Sequence, residues 1–566
     1  MFEHPQIPGT QQYVIEVALD GKGEPFENPV AISKDSSTAT IIGNLEFGKK
    51  YIWRYAGIKN GKGPGWSSTY TFKILNDPHV DRNFYRIRVT TNDSLANSGG
   101  LVTLDNERVI IDRAGNFVWF LPPDSGQRKL NTTRQSLPDN LVSDLQVTPN
   151  GTITVINHFK AQELDLNGHI LWHAPWGSNK AGTPSGNMDN PYLYNHCLKK
   201  LASGNYMVID RQKVTKTIPP GTKQANATTD TTGKVVMADE IVREFDKNGK
   251  LVWNWNSGDY FDSIELQDIL RSKSDSFLQD PTPGGHMNAF DVDEKNGFVY
   301  VSFRNVSRVV KVDKKTGKVV CSWGNKMKYN GSPNGEGFFS KQHETKLLRD
   351  GTIAVYNNDL RPVNMNGIGH RSSSVVIFTQ PTQNMNSVIA WSFECKPDSG
   401  NNLSNRGGSV DEMKNGNLLV GMGTVNKVFE VTRDKKIVWS AIIERFNPHD
   451  MNWQPSPLYK AHYASSLYPC YFTVQTNADT LYKKSTTFEL RIFNDGTEND
   501  TYQVNIQSYQ GFYKNQFSTP VISGKKSMHF KIAPDKLPGK NDRIEISVQS
   551  KTNPDFKRTV YVQYEK

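Results

Sequence analysis

A chain of 566 residues exceeds what one ordinary core organises, so two or three domains are expected. Aromatic residues reach 11%, glycines number 44, and no stretch approaches the roughly twenty apolar residues of a membrane-spanning helix, which leaves a soluble folded protein with no membrane span as the expectation. The net charge of +10 would suit anionic partners, but the lysines sit in turns beside acidic residues and no basic run interleaves with aromatics, so no nucleic acid is expected.

The N-terminus, Met1-Phe2-Glu3-His4-Pro5, lacks the charged and apolar segments of a secretory signal, so either the protein stays inside the cell or a signal has been removed. Alternating residues in Tyr13 to Val17, Thr38 to Ile42, Tyr51 to Tyr55 and around Tyr70 to Phe72 predict strands with one buried face. With its Trp53 and its closing Gly65-Trp66-Ser67-Ser68-Thr69-Tyr70, this region, residues 1–78, resembles a fibronectin type III sandwich.

From about Leu101 to His449 one unit recurs with variations. Inner hairpins are predicted at Leu145 to Ile156, Leu198 to Ile209, Phe290 to Phe303, Thr345 to Tyr356 and Val410 to Met422, with turns such as Asn150-Gly151 and Asp350-Gly351 that tolerate positive φ. Outer hairpins end at Trp119, Trp172, Trp253, Cys321, Trp391 and Trp439. Six four-stranded units without helices between them predict a closed six-bladed β-propeller over residues 79–465, with long insertions at Arg211 to Glu240 and Asp259 to Gly285. Alternating strands from Tyr471 to the Thr559-Val560-Tyr561-Val562 segment predict a C-terminal β-sandwich over 466–566, so the fold class is all-β throughout. Cys197, Cys321, Cys395 and Cys470 show neither metal-type spacing nor a near pair.

Counting back eight residues from the inner-turn glycines gives His196, His343, Ser143 and Gly408, with His286 and Asn288 in the same region of the fourth unit. Counting forward seven gives His158, Arg211, Arg304, Asn358 and Gly423. The first strand of each hairpin leaves one rim and the second returns to it, so these side chains are expected at one mouth near the axis. Three imidazoles could hold zinc, but Arg304 would repel a cation and no carboxylate shares the register, so no metal is expected and an oxyanion suits the ring better. His169, His173, His370, His449 and His462 fall outside the register and read as structural. Tyr194 and Phe338 stand near the predicted mouth and could stack on an aromatic ligand or serve the core.

Gly285-His286-Met287-Asn288 with Ser302-Phe303-Arg304, then Gln342-His343-Glu344-Thr345-Lys346, with Asn195-His196 upstream, resembles the bacterial aryl sulfotransferases that work without a nucleotide sulfate donor. That resemblance implies a histidine, here His343, that is sulfated transiently as the nucleophile. His286, Asn288, Arg304 and His196 fall in the surrounding sulfuryl-binding and proton-handling set. Arg211, Asn358 and Tyr194 complete the expected substrate contacts. The expected partners are a small aryl sulfate donor and a phenolic acceptor, with no cofactor, a homodimer as the assembly to test, and a periplasmic or secreted location with the cytoplasm as alternative. The C-terminal sandwich and the lone cysteines depart from the family's pattern. Which of His196 and His286 handles the proton stays open. A non-enzymatic propeller binding sulfated ligands and a sulfatase using water are the rival readings.

Overall fold

In a computed structural model the chain is all-β. The structure describes every residue except 8, 22, 60, 62, 64, 78–79, 123–141, 158, 176–193, 219–232, 262–264, 267–268, 270–281, 326–334, 360–371, 457, 479, 483–486, 512, 534–541 and 566. His158, His370 and parts of both long insertions therefore lie outside the described residues. Among the described residues no helix is long and apolar enough to cross a membrane.

The chain forms two compact units, one of Met1–Val80, Pro149–Gly151 and Ser465–Lys566, the other of Asp81–Thr148 and Thr152–Ala464. In the first unit, Gln12–Leu19, Ala31–Asp35, Lys50–Ile58 and Tyr70–Lys73 make one antiparallel sheet over Ile15, Val17, Tyr51 and Tyr55. Ala31–Asp35 is a strand that alternation does not announce, because it is an edge whose Ile32 is 58% exposed. The predicted strand at Thr38 to Ile42 shrinks to Ala39–Thr40, paired with Phe2–Glu3. The C-terminal part of this unit closes a three-stranded sheet on a five-stranded one around Phe472, Leu490, Val504 and Ile546.

Among the described residues the second unit contains six antiparallel sheets, five of four strands and one, the sixth, of six. From the inside outward, the second is Val142–Val147, Ile153–Asn157, Lys160–Leu164 and Ile170–His173; the third is Asn195–Lys200, Tyr206–Thr217, Lys234–Phe245 and Leu251–Asn256. The fourth is Met287–Asp293, Phe298–Phe303, Arg308–Asp313 and Val319–Gly324; the fifth is His343–Leu347, Ile353–Asn357, Ser374–Phe378 and Ile389–Glu394. The sixth is Ser409–Glu412, Leu418–Gly421, Lys427–Val431 and Ile437–Asn447, whose last strand also pairs with Asn452–Pro455 and Tyr85–Asn92. The first sheet differs in origin. Its outer strands are Leu101–Leu104, Val109–Asp112 and Phe117–Phe120, but its innermost strand, Ala461–Ala464, arrives from the other end of the unit. The Thr103–His462 hydrogen bond there spans 359 positions. This strand explains why the sequence shows five inner hairpins against six outer ones. Each innermost strand lies against the next, and that of the sixth lies against that of the first.

The tryptophans that end the repeats have a shared task. The indole of Trp119 donates to the carbonyl of Leu166 (2.8 Å), Trp172 to Asp246 (3.3 Å), Trp253 to Lys314 (2.8 Å), Trp391 to Arg433 (2.7 Å) and Trp439 to Arg113 (2.8 Å). Each bond runs from an outer strand to the outer turn of the following sheet, and the sixth returns to the first. In the fourth sheet Cys321 stands where the others carry Trp, and Trp323, two residues on, donates to Ser387 Oγ of the fifth (2.8 Å). A buried indole needs a partner for its N–H, so one residue type both fills the wedge between sheets and staples them.

The predicted insertion at Arg211 to Glu240 is in part a continued ladder. Arg211 pairs with Glu240 and the register holds to Thr217 opposite Lys234. Its apolar face, Ile218, Val235 and Met237, joins the core that includes Phe261 and Ile269.

Candidate active site

The innermost strands of the second to fifth sheets all break register near their first residues, between Ser143 and Gln146, Asn195 and Leu198, Met287 and Ala289, and His343 and Lys346. Such bulges aim side chains away from the sheet's own pattern. Asp144, His196, His286 and Glu344 there have φ of 55°, 63°, 57° and 57°, a region that costs non-glycine residues about 1–3 kcal/mol each. The surroundings compensate. His286 donates its backbone N–H to Glu240 Oε1 (3.1 Å) and accepts from Arg304 N–H (2.9 Å).

His343 opens its strand and is 1% exposed. Its Nδ1 meets Asn358 Oδ1 at 2.7 Å, while Asn358 Nδ2 donates to the carbonyls of Ser404 and Gly407, both at 3.0 Å. Two carbonyl acceptors fix which end of that amide is nitrogen, so Oδ1 accepts and His343 carries its proton on Nδ1. Nε2 is left with its lone pair, which accepts a hydrogen bond from the Gly407 N–H (3.3 Å). Gln342 anchors the position: its Nε2 donates to Ser302 Oγ (3.0 Å), Arg308 O (3.1 Å) and Phe303 O (3.2 Å).

Around His343 stand the other predicted groups. The His196 and His286 rings lie 5.1 Å apart, and His196 Nδ1 is 2.5 Å from Tyr459 Oη. The edge of Tyr459 in turn faces His343, centroids 5.9 Å apart. Arg304 follows its strand directly and donates to Asn405 O (3.2 Å) and Asn305 Oδ1 (3.4 Å). Burial first, then the nearby positive charge of Arg304, holds His343 well below the ordinary imidazole range. Burial, His196 and Arg304 do the same to His286; burial, Lys460 and Arg211 do so to His196. All three rings are therefore neutral at physiological pH, beside guanidinium groups that stay charged.

Arg211 reaches Thr282 O at 2.5 Å and faces Glu240 across the ladder. Two sequence expectations fall elsewhere. Tyr194 is 3% exposed, packs with Trp172, Tyr206 and Phe245 between the second and third sheets, and donates to Pro175 O (2.9 Å), so it belongs to the core. Asn288 is fully buried and gives its Nδ2 to Gln342 O (2.8 Å), so it bears on the site through the residue before His343. Phe338 packs on Phe378, centroids 5.9 Å apart.

Sequence reasoning missed four contributors. Tyr459 and Lys460 precede the closing strand, and the one signal for them was the missing sixth inner hairpin. Glu240, pushed up to about 7 mainly by burial, is the carboxylate that a register of inner strands alone does not count. Gly407 lies in a loop no repeat predicts. A buried ionic cluster joins the innermost strands: Lys460, 0% exposed, meets Asp144 (3.1 Å) and Glu344 (3.3 Å), while His462 meets Asp411 (3.1 Å) and Asp144 (3.3 Å) and Lys346 meets Asp411 (2.8 Å). Those carboxylates raise His462 to about 9 against its own burial, so it is charged. Cys197 and Cys395 are buried free thiols.

The family described as Arylsulfotransferase (ASST) matches residues 91–456. Among curated proteins no sequence matches. Among solved structures the chain is similar to a protein of unknown function from Bacteroides caccae, at 13% identity over 67% of this chain and 98% of that one, TM-score 0.34. It is also similar to a streptogramin B lyase (14%, 57% and 85%, 0.29) and to the Kuenenia stuttgartiensis hydrazine synthase (13%, 59% and 99%, 0.29). These likenesses are too slight to bear on fold or activity.

Proposed function

From the premise that this chain belongs to the arylsulfotransferase family, we propose that it moves a sulfuryl group from an aryl sulfate to a phenol in two half-reactions through His343. It is an aryl sulfotransferase that uses no nucleotide sulfate donor. The proposed layout is a fibronectin-III-like sandwich over 1–78, a six-bladed β-propeller over 79–465 with the site at one rim, and a C-terminal sandwich over 466–566. The cyclic order of the tryptophan staples and of the innermost strands supports the propeller. A periplasmic or secreted location and a homodimeric state rest on the family resemblance alone.

One observation carries the mechanism: Asn358 holds the proton of His343 on Nδ1, so a neutral imidazole keeps its lone pair on Nε2, where it accepts from Gly407 N–H at rest. Nε2 attacks sulfur, the S–N bond forms as the S–O bond to the aryl group breaks, and the phenol departs after taking a proton. The second phenol reverses these events and restores His343. Charge spreads over the sulfonate oxygens in the transition state, where Arg304 and the imidazole N–H groups contribute most. Splitting the transfer at a histidine gives ping-pong kinetics.

The test is exchange between p-nitrophenyl sulfate and phenol. Added phenol should accelerate p-nitrophenol release and form phenyl sulfate, with parallel double-reciprocal lines. A rate indifferent to phenol would mean hydrolysis, and binding without release would mean a receptor. The depressed His343 also fixes a pH dependence. Its neutral form is the reactive one and persists below the ordinary value of 6.5, so the single-turnover burst should change less than about twofold between pH 8 and 5.5. A decline with its midpoint near 6.5 would show an ordinary imidazole instead.

A further inference from the structure

Tyr459 stands where no repeat predicted a residue, and its geometry bears on which imidazole handles the proton. Its backbone is fixed on both sides: N–H donates to Asp105 Oδ1 (3.1 Å) and the carbonyl accepts from Gly408 N–H (2.8 Å). The ring is thereby held between His196 and His343, and Oη reaches His196 Nδ1 at 2.5 Å. Among the described residues this is the single hydrogen bond that Oη makes. In the tautomer that the relay below uses, Tyr459 is the donor and Nδ1 the acceptor, and His196 carries its own proton on Nε2. Both side chains are partly exposed, and with Nδ1 bound to Tyr459 it is Nε2 that remains for a substrate. A base whose far nitrogen is oriented by a third group is the arrangement general acid–base catalysis uses.

Resting on the sulfuryl-exchange reading above, we propose that His196, rather than His286, is the proton-handling group and that Tyr459 acts through it as positioning residue and proton store. In the first half-reaction the S–N bond to His343 forms and the S–O bond breaks. The Nε2 proton of His196 passes to the aryl oxygen and the Tyr459 hydroxyl proton passes to Nδ1. The charge of the departing phenolate thus comes to rest on the Tyr459 oxygen, and no oxidant or further reactant is needed. The acceptor phenol runs the same relay backwards, giving its proton to Nε2 while Nδ1 returns one to Tyr459. The store is itself a phenol, so it resembles chemically the groups it exchanges with. Burial holds Tyr459 above its ordinary range, which keeps the hydroxyl protonated and donating at rest. Lys460, one residue on, and Arg304 lower that cost when the oxygen is charged.

The experiment is a leaving-group series. Release from p-nitrophenyl sulfate, whose phenolate departs readily without a proton, is compared with release from phenyl sulfate in the wild type and Tyr459→Phe. Phenylalanine keeps the ring and removes the relay, so the variant should lose at least about tenfold more on phenyl sulfate than on p-nitrophenyl sulfate. His196→Gln, which breaks the pair from the other side, should steepen the same dependence and serves if Tyr459→Phe does not fold. Equal losses across the series, or no loss, in both variants would overturn the relay while leaving the transfer intact. A wild type that performs no exchange would instead overturn the functional reading beneath it.

Discussion

Exchange between p-nitrophenyl sulfate and phenol is expected to fall by at least about a thousandfold in His343→Ala, since loss of a covalent nucleophile removes a route rather than a contact. The wild type quenched during turnover should carry one added sulfuryl group on the peptide containing His343, and the variant none. The large effect follows from how much of the fold serves this ring. Gln342 is tied by three hydrogen bonds to the fourth sheet, Asn358 ties Nδ1 to the loop of Ser404 and Gly407, and burial keeps the ring neutral. None of these partners is a nucleophile able to take its place. A variant that keeps the adduct and most of its rate would move the covalent step to another residue.

Lys460→Met is expected to be the most destabilising single change in the buried ionic cluster. Lys460 is wholly buried, and its ammonium is shared by Asp144 and Glu344 from the second and fifth sheets. Methionine fills similar volume but takes the Lys460 cation from Glu344 and leaves Asp144 with His462 alone, a loss of about 3–5 kcal/mol. The unfolding midpoint in urea should fall accordingly. Lys436→Met, at an ion pair where the lysine is 66% exposed, should leave it unmoved. Equal midpoints for the two variants would mean that the buried cluster is not what holds the strands together.

The sequence carried much of this fold because its signals were local. An outer hairpin needs a turn residue and an alternating face, and its last Trp is marked by composition, so the repeats at Trp119, Trp172, Trp253, Trp391 and Trp439 could be read off directly. His196 and His343 share a register because the turns at Gly204 and Gly351 close alike, with φ of 85° and 83°. What stayed hidden depends on non-local pairing. Ala461–Ala464 looks like any short strand until Leu101–Leu104 is found to lack an inner partner, so His462 read as structural without its partners in the buried ionic cluster being visible. The bulges were equally opaque, because a residue count cannot show that His196 itself adopts φ of 63° while in the fifth sheet the turn falls on Glu344, one residue after His343. Tyr194 was open to either role, stacking on a ligand or serving the core, and its packing with Trp172, Tyr206 and Phe245 puts it in the core.

The late arrival of Ala461–Ala464 has a consequence during synthesis. A ribosome that has just released Leu145 must add about 300 further residues before Tyr459, Lys460 and His462 exist, roughly 15–60 s at ordinary elongation rates. In that interval Asp144 and Glu344 have no counter-ion and His196 no phenol to orient it. The nascent polypeptide should therefore be catalytically mute until Ala461–Ala464 clears the exit tunnel, so that the strand completing the first sheet is also the one expected to switch on the chemistry.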